Sequence, residues 1–247
     1  MDPVWFREHV ERNGVDLQRS PRWTEDGALS GAALLAFRGE RAWVGAFGVV
    51  PAFRGRGLAR RYLAELLEIA SEAAATSVEL EVLENNPAAI RLYERGGFEQ
   101  TGELIVWARG PLHAAGTATR DVMLDREPRD LAAIASIART PATCWQREPP
   151  SVATAPAFET IVVGQPAGPD AYAFLRRRGS AGDVLLDAGA RDAAGAAALL
   201  DALDVHAAGQ TLILLNEPPH GPLHEAFVAN AGWREFARQR RMRALLR

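Results

Sequence analysis

The sequence predicts an α/β protein built as two tandem halves that repeat one order of elements. Three observations point there. Apolar strand-like runs alternate along the chain with helices of amphipathic spacing. The order read in residues 1–109 returns in residues 120–245. Between them Gly110 to Thr119 is a stretch of small residues without periodicity, which reads as a linker. The expected domains are therefore 1–118 and 119–247.

In the first half, residues 3–13 read as a short helix ended by Asn13-Gly14. A hairpin turn is expected at Glu25-Asp26-Gly27. Residues 29–37 and 41–50 are near-continuous apolar strands joined at Arg38-Gly39-Glu40. A Gly/Arg loop at 53–57 leads into a helix over 58–75. There Leu58, Tyr62, Leu66, Ile69 and Ala73 recur at helical spacing, with Arg60, Arg61, Glu65, Glu68 and Glu72 on other faces. Residues 77–83 alternate Val78, Leu80 and Val82 with Ser77, Glu79 and Glu81, a strand pattern. A helix opens at Pro87 and stops at Gly96-Gly97, and 103–109 is a further strand.

The second half predicts a strand at 120–124, a helix at 129–139, and strands near 158–163, 170–176 and 183–188. An alanine-rich helix at 192–206, an apolar strand at 211–215, a helix near 222–230 and a final strand near 235–245 complete it.

Composition narrows the function classes. All 28 basic residues are arginine, against 31 acids, for a net charge of −3. That balance speaks against non-specific nucleic-acid binding as the main task. Hydrophobic residues are 48% and charged residues 24%, as in soluble globular chains. No apolar run approaches the ~18 residues that span a bilayer. The start, Met1 to Glu8, has neither a basic nor an apolar leader region. The single cysteine, Cys144, has no internal partner for a disulfide, and a cytoplasmic location is expected.

Chemistry concentrates between residues 49 and 98. Gly55 and Gly57 remove side chains where a backbone must approach a ligand. The helix starting at Leu58 points free N–H groups and its positive dipole end at that loop, and Arg54 and Arg56 add charge. Such a loop suits a pyrophosphate. Downstream, Asn86 and Tyr93 lie seven positions apart, nearly two turns, on one helix face.

Arg54-Gly55-Arg56-Gly57-Leu58-Ala59 resembles the acetyl-CoA loop of the GNAT acyltransferase superfamily. Leu80-Glu81-Val82, then Asn86 to Tyr93 and Gly96-Gly97-Phe98, is similar to its second signature, in the form of ribosomal-protein N-terminal acetyltransferases. The resemblance implies two tandem GNAT-like domains, each a mixed, mostly antiparallel sheet flanked by helices. It implies acetyl-CoA as co-substrate, held by Val49, Val50, Arg54, Gly55, Arg56, Gly57, Leu58, Ala59 and Asn86. The end of the preceding strand, from Phe47 to Val50, would pair with the pantetheine arm. Tyr93 would be the general acid for the departing thiolate and Glu81 the base that deprotonates the amine. The implied reaction is direct acetyl transfer to a primary amine of a small molecule or peptide, with no metal.

The second half departs from this pattern. Its loop, Ala188 to Gly195, lacks the paired glycines and carries Asp187 and Asp192, and Val228 stands opposite Tyr93. It reads as a degenerate repeat. The family's usual first strand and helix have no counterpart before residues 3–13. Asp16 and Trp23 are candidate acceptor-lining residues, and a homodimer is left open. Trp145 reads as a buried anchor, and the arginines at 176–178 and 238–243 as solvated strand faces. His220 and His224 lack a further metal-ligand pattern. The rival readings are a coenzyme-binding sensor without catalysis and an acetyltransferase directed at RNA or the ribosome.

Overall fold

The computed structural model describes residues 3–111, 122–125, 144–155, 158–165, 168–179 and 182–246. Contacts group the chain into two compact units, one holding Met1–Glu103 with Gln239–Arg247, the other Leu104–Arg238. This differs from the expected division at 118, a position outside the described residues. The reason lies in two long strands, β5 (Glu99–Arg109) and β11 (Trp233–Leu245), each of which contributes to both units.

The first unit opens with α1 (Pro3–Asn13), then β1 (Arg22–Glu25), β2 (Ala28–Arg38) and β3 (Arg41–Val49). Asp26 and Gly27 both have positive φ, 51° and 78°, the backbone a two-residue hairpin between twisted strands requires. Next come α2 (Leu58–Glu72), β4 (Ser77–Leu83) and α3 (Pro87–Arg95). The strand order is β1-β2-β3-β4-β11-β5. β3 and β4 are parallel, whereas β11 runs antiparallel to β4, from Gln239 against Leu83 to Leu245 against Ser77. The apolar positions of α2, Leu58, Tyr62, Leu63, Leu66 and Ala70, face the sheet. They join Leu35, Val78, Leu80, Ile90, Tyr93 and Phe98 in one core, closed by Met242 and Ala244 of β11. Each large apolar side chain buried there contributes about 1.5–3 kcal/mol, so the terminal strand is part of this unit's stability.

In the second unit the order is β5-β10-β9-β8-β7-β6, with β6 Val122–Asp125, β7 Glu159–Gln165, β8 Gly168–Arg176, β9 Asp183–Ala190 and β10 Leu212–Glu217. The helices are α4 (Pro149–Ala153), α5 (Ala193–His206) and α6 (Pro222–Ala229). Here too one pair, β9 with β10, is parallel. Leu199, Leu203, Leu212, Leu214, Phe227 and Trp233 centre its core. The helix expected at 129–139 lies outside the described residues. The helical turn Trp145–Arg147 and α4 are not among the expected elements; Pro149 and Pro150 sit at the start of α4, where their missing N–H groups cost nothing.

Candidate active site

The parallel pairing of β3 and β4 ends at Val44 opposite Leu80, although β3 runs on to Val49 and β4 to Leu83. The two strands therefore splay. The splay starts at Gly45, the extra residue of a bulge, since Val44 pairs with Leu35 and Ala46 with Leu34 on the other side. Beyond it, Val50 N–H donates to Ser30 O at 2.8 Å. Backbone groups alternate along a strand, so Phe47 and Val49 turn theirs to the open side. Arg54 Nε already donates to Val49 O at 3.0 Å. The Val50 N–H is used within the sheet, and Val50 is not among the residues lining the cleft.

That cleft, about 950 Å³, runs from the splay between α2 and α3. Val49, Arg54, Gly55, Gly57, Leu58, Ala59, Glu81, Asn86 and Tyr93 all line it, whereas Arg56 does not. The Arg56 guanidinium instead sits 5.4 Å from the Phe53 ring and reaches Ala52 O at 3.4 Å. At one end, Gly55 and Gly57 both take φ of 77°, which favours glycine. Gly57 caps α2 without a side-chain hydrogen bond. The amides of Gly55, Leu58 and Ala59 meet no acceptor among the described residues, so the helix start is open to an anion. Arg60, Arg91 and Arg95 also line the cleft, and sequence reasoning missed them. The i,i+4 spacing of Arg91 and Arg95 on the Asn86–Tyr93 helix was the available signal.

Asn86 caps α3, accepting from Ala89 N–H at 3.2 Å. Its carbonyl oxygen is thus committed, and its NH₂ is the group left for a ligand. Tyr93 is 7% exposed, with Phe47 and Phe98 rings at 6.4 and 5.6 Å. Burial pushes its phenol up to about 12, so it keeps its proton at neutral pH. Glu81 lies on the β4 face opposite Leu80 and Val82 and accepts from Trp43 Nε1–H at 2.8 Å. The proposed acceptor residues fall elsewhere. Asp16 makes a surface ion pair with Arg19 at 2.6 Å, and Trp23 is buried, stacked 4.3 Å from Tyr62 and bonded to Glu65. Neither lines the cleft.

Residues 3–98 match the acetyltransferase (GNAT) family model. An N-alpha-acetyltransferase of Mycobacterium tuberculosis is 39% identical over 85 residues, covering 31% of this chain and 52% of that protein. A spermine/spermidine N(1)-acetyltransferase of Bacillus subtilis is 37% identical over 65 residues, covering 26% and 43%. The chain thus spans about half the length of these curated relatives. Two solved structures share the fold over most of the chain. A tandem GNAT protein from the clavulanic acid biosynthesis pathway has TM-score 0.64 at 17% identity, covering 90% of this chain and 81% of that one. An acetyltransferase fold from Pyrococcus horikoshii has TM-score 0.67 at 14% identity, covering 98% and 78%. The tandem GNAT fold follows from these likenesses.

The second GNAT-like unit has the same splay, since β9–β10 pairing ends at Leu185 and Leu214 while both strands continue. Its own chain fills it. Arg147, 3% exposed, donates to Asp187 Oδ1 at 2.7 Å, to the carbonyls of Ala188 at 2.6 Å and Asn216 at 3.2 Å, and to the Glu217 carboxylate. Burial pulls the guanidinium's proton affinity down, but Glu217 and Asp187 more than offset this, so it stays charged. Where eight residues join β3 to α2, only Arg191 and Asp192 join β9 to α5. Asp192 accepts from Gly195 N–H at 2.8 Å, placing a carboxylate at the helix start. Val228, at the position of Tyr93, is 64% exposed.

Among the described residues, no group of three His, Cys, Asp or Glu is arranged to hold a metal. Nor is any helix there long and apolar enough to cross a membrane. Cys144 and Trp145 are both buried, 1% exposed. Arg177 pairs with Glu159 and Asp183, each at 2.9 Å, and Arg238 with Glu235 at 2.7 Å.

Proposed function

We propose that this protein is an N-acetyltransferase that moves the acetyl group of acetyl-CoA to a primary amine of a small molecule or peptide, using the first unit alone. The observation that carries the reading is the cleft itself. It joins an open helix start at one end to a splayed strand and a protonated tyrosine at the other.

The residues suit direct attack in a ternary complex. The Gly55–Ala59 amides and neighbouring arginines bind the pyrophosphate. Phe47 and Val49 extend the sheet to the pantetheine arm and offer an N–H to the thioester oxygen. Glu81 takes the proton of the attacking amine, directly or through water. The amine nitrogen bonds to the thioester carbon, the C–S bond breaks, and Tyr93 supplies a hydrogen bond and then a proton to the departing sulfur. A phenol near 12 is a weaker acid than a free thiol near ~8.5, so its main service is to stabilise charge building on sulfur.

The named relatives suggest two amine classes to test, polyamines and peptide N-termini. The experiment is thiol release from acetyl-CoA with spermidine, with an alanine-initiated peptide and with simple primary amines. Acceptor-dependent release that falls in Tyr93→Phe supports the enzyme. Tight acetyl-CoA binding with no acceptor-dependent release would make the chain a sensor instead.

A further inference from the structure

We infer that Trp43 is the positioning residue for the Glu81 carboxylate, and that Gly45 provides the space in which it acts. This rests on the reading of Glu81 as the proton acceptor.

Trp43 is 1% exposed, yet its indole N–H reaches past the strand to Glu81 Oε2 at 2.8 Å. An indole nitrogen only donates, so this bond favours the ionised carboxylate. Glu81 needs such a partner because it is the first β4 residue beyond the last pairing with β3, where the strands part. A glutamate there has three side-chain torsions to settle, and a misplacement of ~1 Å is costly to a reacting group.

Gly45 is the second observation. A Cβ built on it would lie 2.5 Å from the Trp43 ring, so the indole lies across the bulge that opens the splay. From the other side His9 of α1 meets the ring at 6.0 Å and is itself stacked on Trp5 at 5.2 Å. Burial, then Arg12, holds His9 below its usual range, so it stays neutral there. The stack and the missing Cβ together leave the indole one place to lie. Charged groups near Glu81 include its cross-strand partner Arg241 on β11 and Glu79 on its own strand, with Arg41 at 3.7 Å from Glu79; the neutral Tyr93 phenol lines the same cleft.

The test needs no acceptor for its first arm. In ¹⁵N-tryptophan-labelled protein the Trp43 indole resonance, assigned by its loss in Trp43→Phe, should follow one titration in the carboxylate range. That titration should vanish in Glu81→Gln. A resonance that ignores pH and Glu81→Gln overturns the inference. The second arm uses the most active amine of the thiol-release panel. Trp43→Phe, Gly45→Ala, and benzothienylalanine at position 43 (same ring shape, sulfur for N–H) should each lower kcat roughly 10- to 100-fold. The acid limb of the pH profile should move upward, with KM for acetyl-CoA unchanged. Wild-type kcat in the benzothienylalanine protein would reduce Trp43 to packing and overturn the inference. A fully active Glu81→Gln enzyme would instead remove the reading of Glu81 as base, a result distinct from both.

Discussion

Tyr93 keeps its proton because the side chain is largely buried beside the Phe47 and Phe98 rings, where the anion would lose hydration. Tyr93→Phe keeps the ring and removes the donor. Turnover should fall roughly 10²–10⁴-fold with acetyl-CoA affinity little changed, measured by steady-state thiol release beside calorimetry. The sign of its pH linkage is also set. Its folded value of about 12 lies above the ordinary phenol. Its contribution to stability is therefore complete below about pH 10 and lost as pH rises through the folded value. Chemical denaturation at a series of alkaline pH values should show that loss in the wild type and not in Tyr93→Phe. Glu81→Gln should cost most activity at neutral and mildly acidic pH, with recovery as the free amine becomes abundant. At this scale the spacing of residues was informative. Glycines before a helix and a tyrosine seven places past a helix-capping asparagine are local patterns, and the structure sets Gly55, Gly57, Asn86 and Tyr93 along one cleft. Trp43 gave no such sign, since its bond to Glu81 crosses between strands 38 positions apart.

The contrast between the two units is a contrast of helix entries. α2 begins at a left-handed glycine with no side-chain cap, and α5 begins at an aspartate that serves as its own anion. Gly57→Asp would give α2 the second kind of entry. It should abolish acetyl-CoA binding in calorimetry, whereas Gly57→Ala, which adds backbone strain without charge, should weaken it less. Asp192→Ala should cost about 1 kcal/mol of stability and create no coenzyme site. Removing Arg147 is more severe. Arg147→Met leaves Asp187 and Glu217 buried without their cation, a loss of about 3–5 kcal/mol visible as a lowered denaturation midpoint. The absent paired glycines and the valine at 228 were readable in sequence. The arginine filling the second splay was not, because it comes from a helical turn 40 and 70 positions away from its partners.

Across the whole chain, helices and strands of the first half were legible to within about four residues, helped by boundary signals at Gly57, Pro87 and Gly96, although the strand read at 103–109 begins at Glu99 and the helix read over 58–75 ends at Glu72. The grouping into compact units was not. Residues 235–245 read as the last strand of the second half, yet Gln239–Leu245 pairs with β4 and buries Met242 and Ala244 in the first core. In return Leu104–Arg109 of β5 pairs with β10 in the second unit. Strand pattern shows which face is apolar and leaves the partner undetermined. A fragment of residues 1–111 should therefore lack a stable fold by circular dichroism, despite holding every predicted site residue. On this reading the protein holds a single acetyl-CoA site, in the first unit. Calorimetric titration of acetyl-CoA into the whole protein, with Gly57→Asp and Arg191→Ala alongside, counts the sites. One coenzyme per chain should bind in the wild type and in Arg191→Ala, and none in Gly57→Asp. Two per chain, or binding that survives Gly57→Asp and fails in Arg191→Ala, would place a coenzyme site in the second unit.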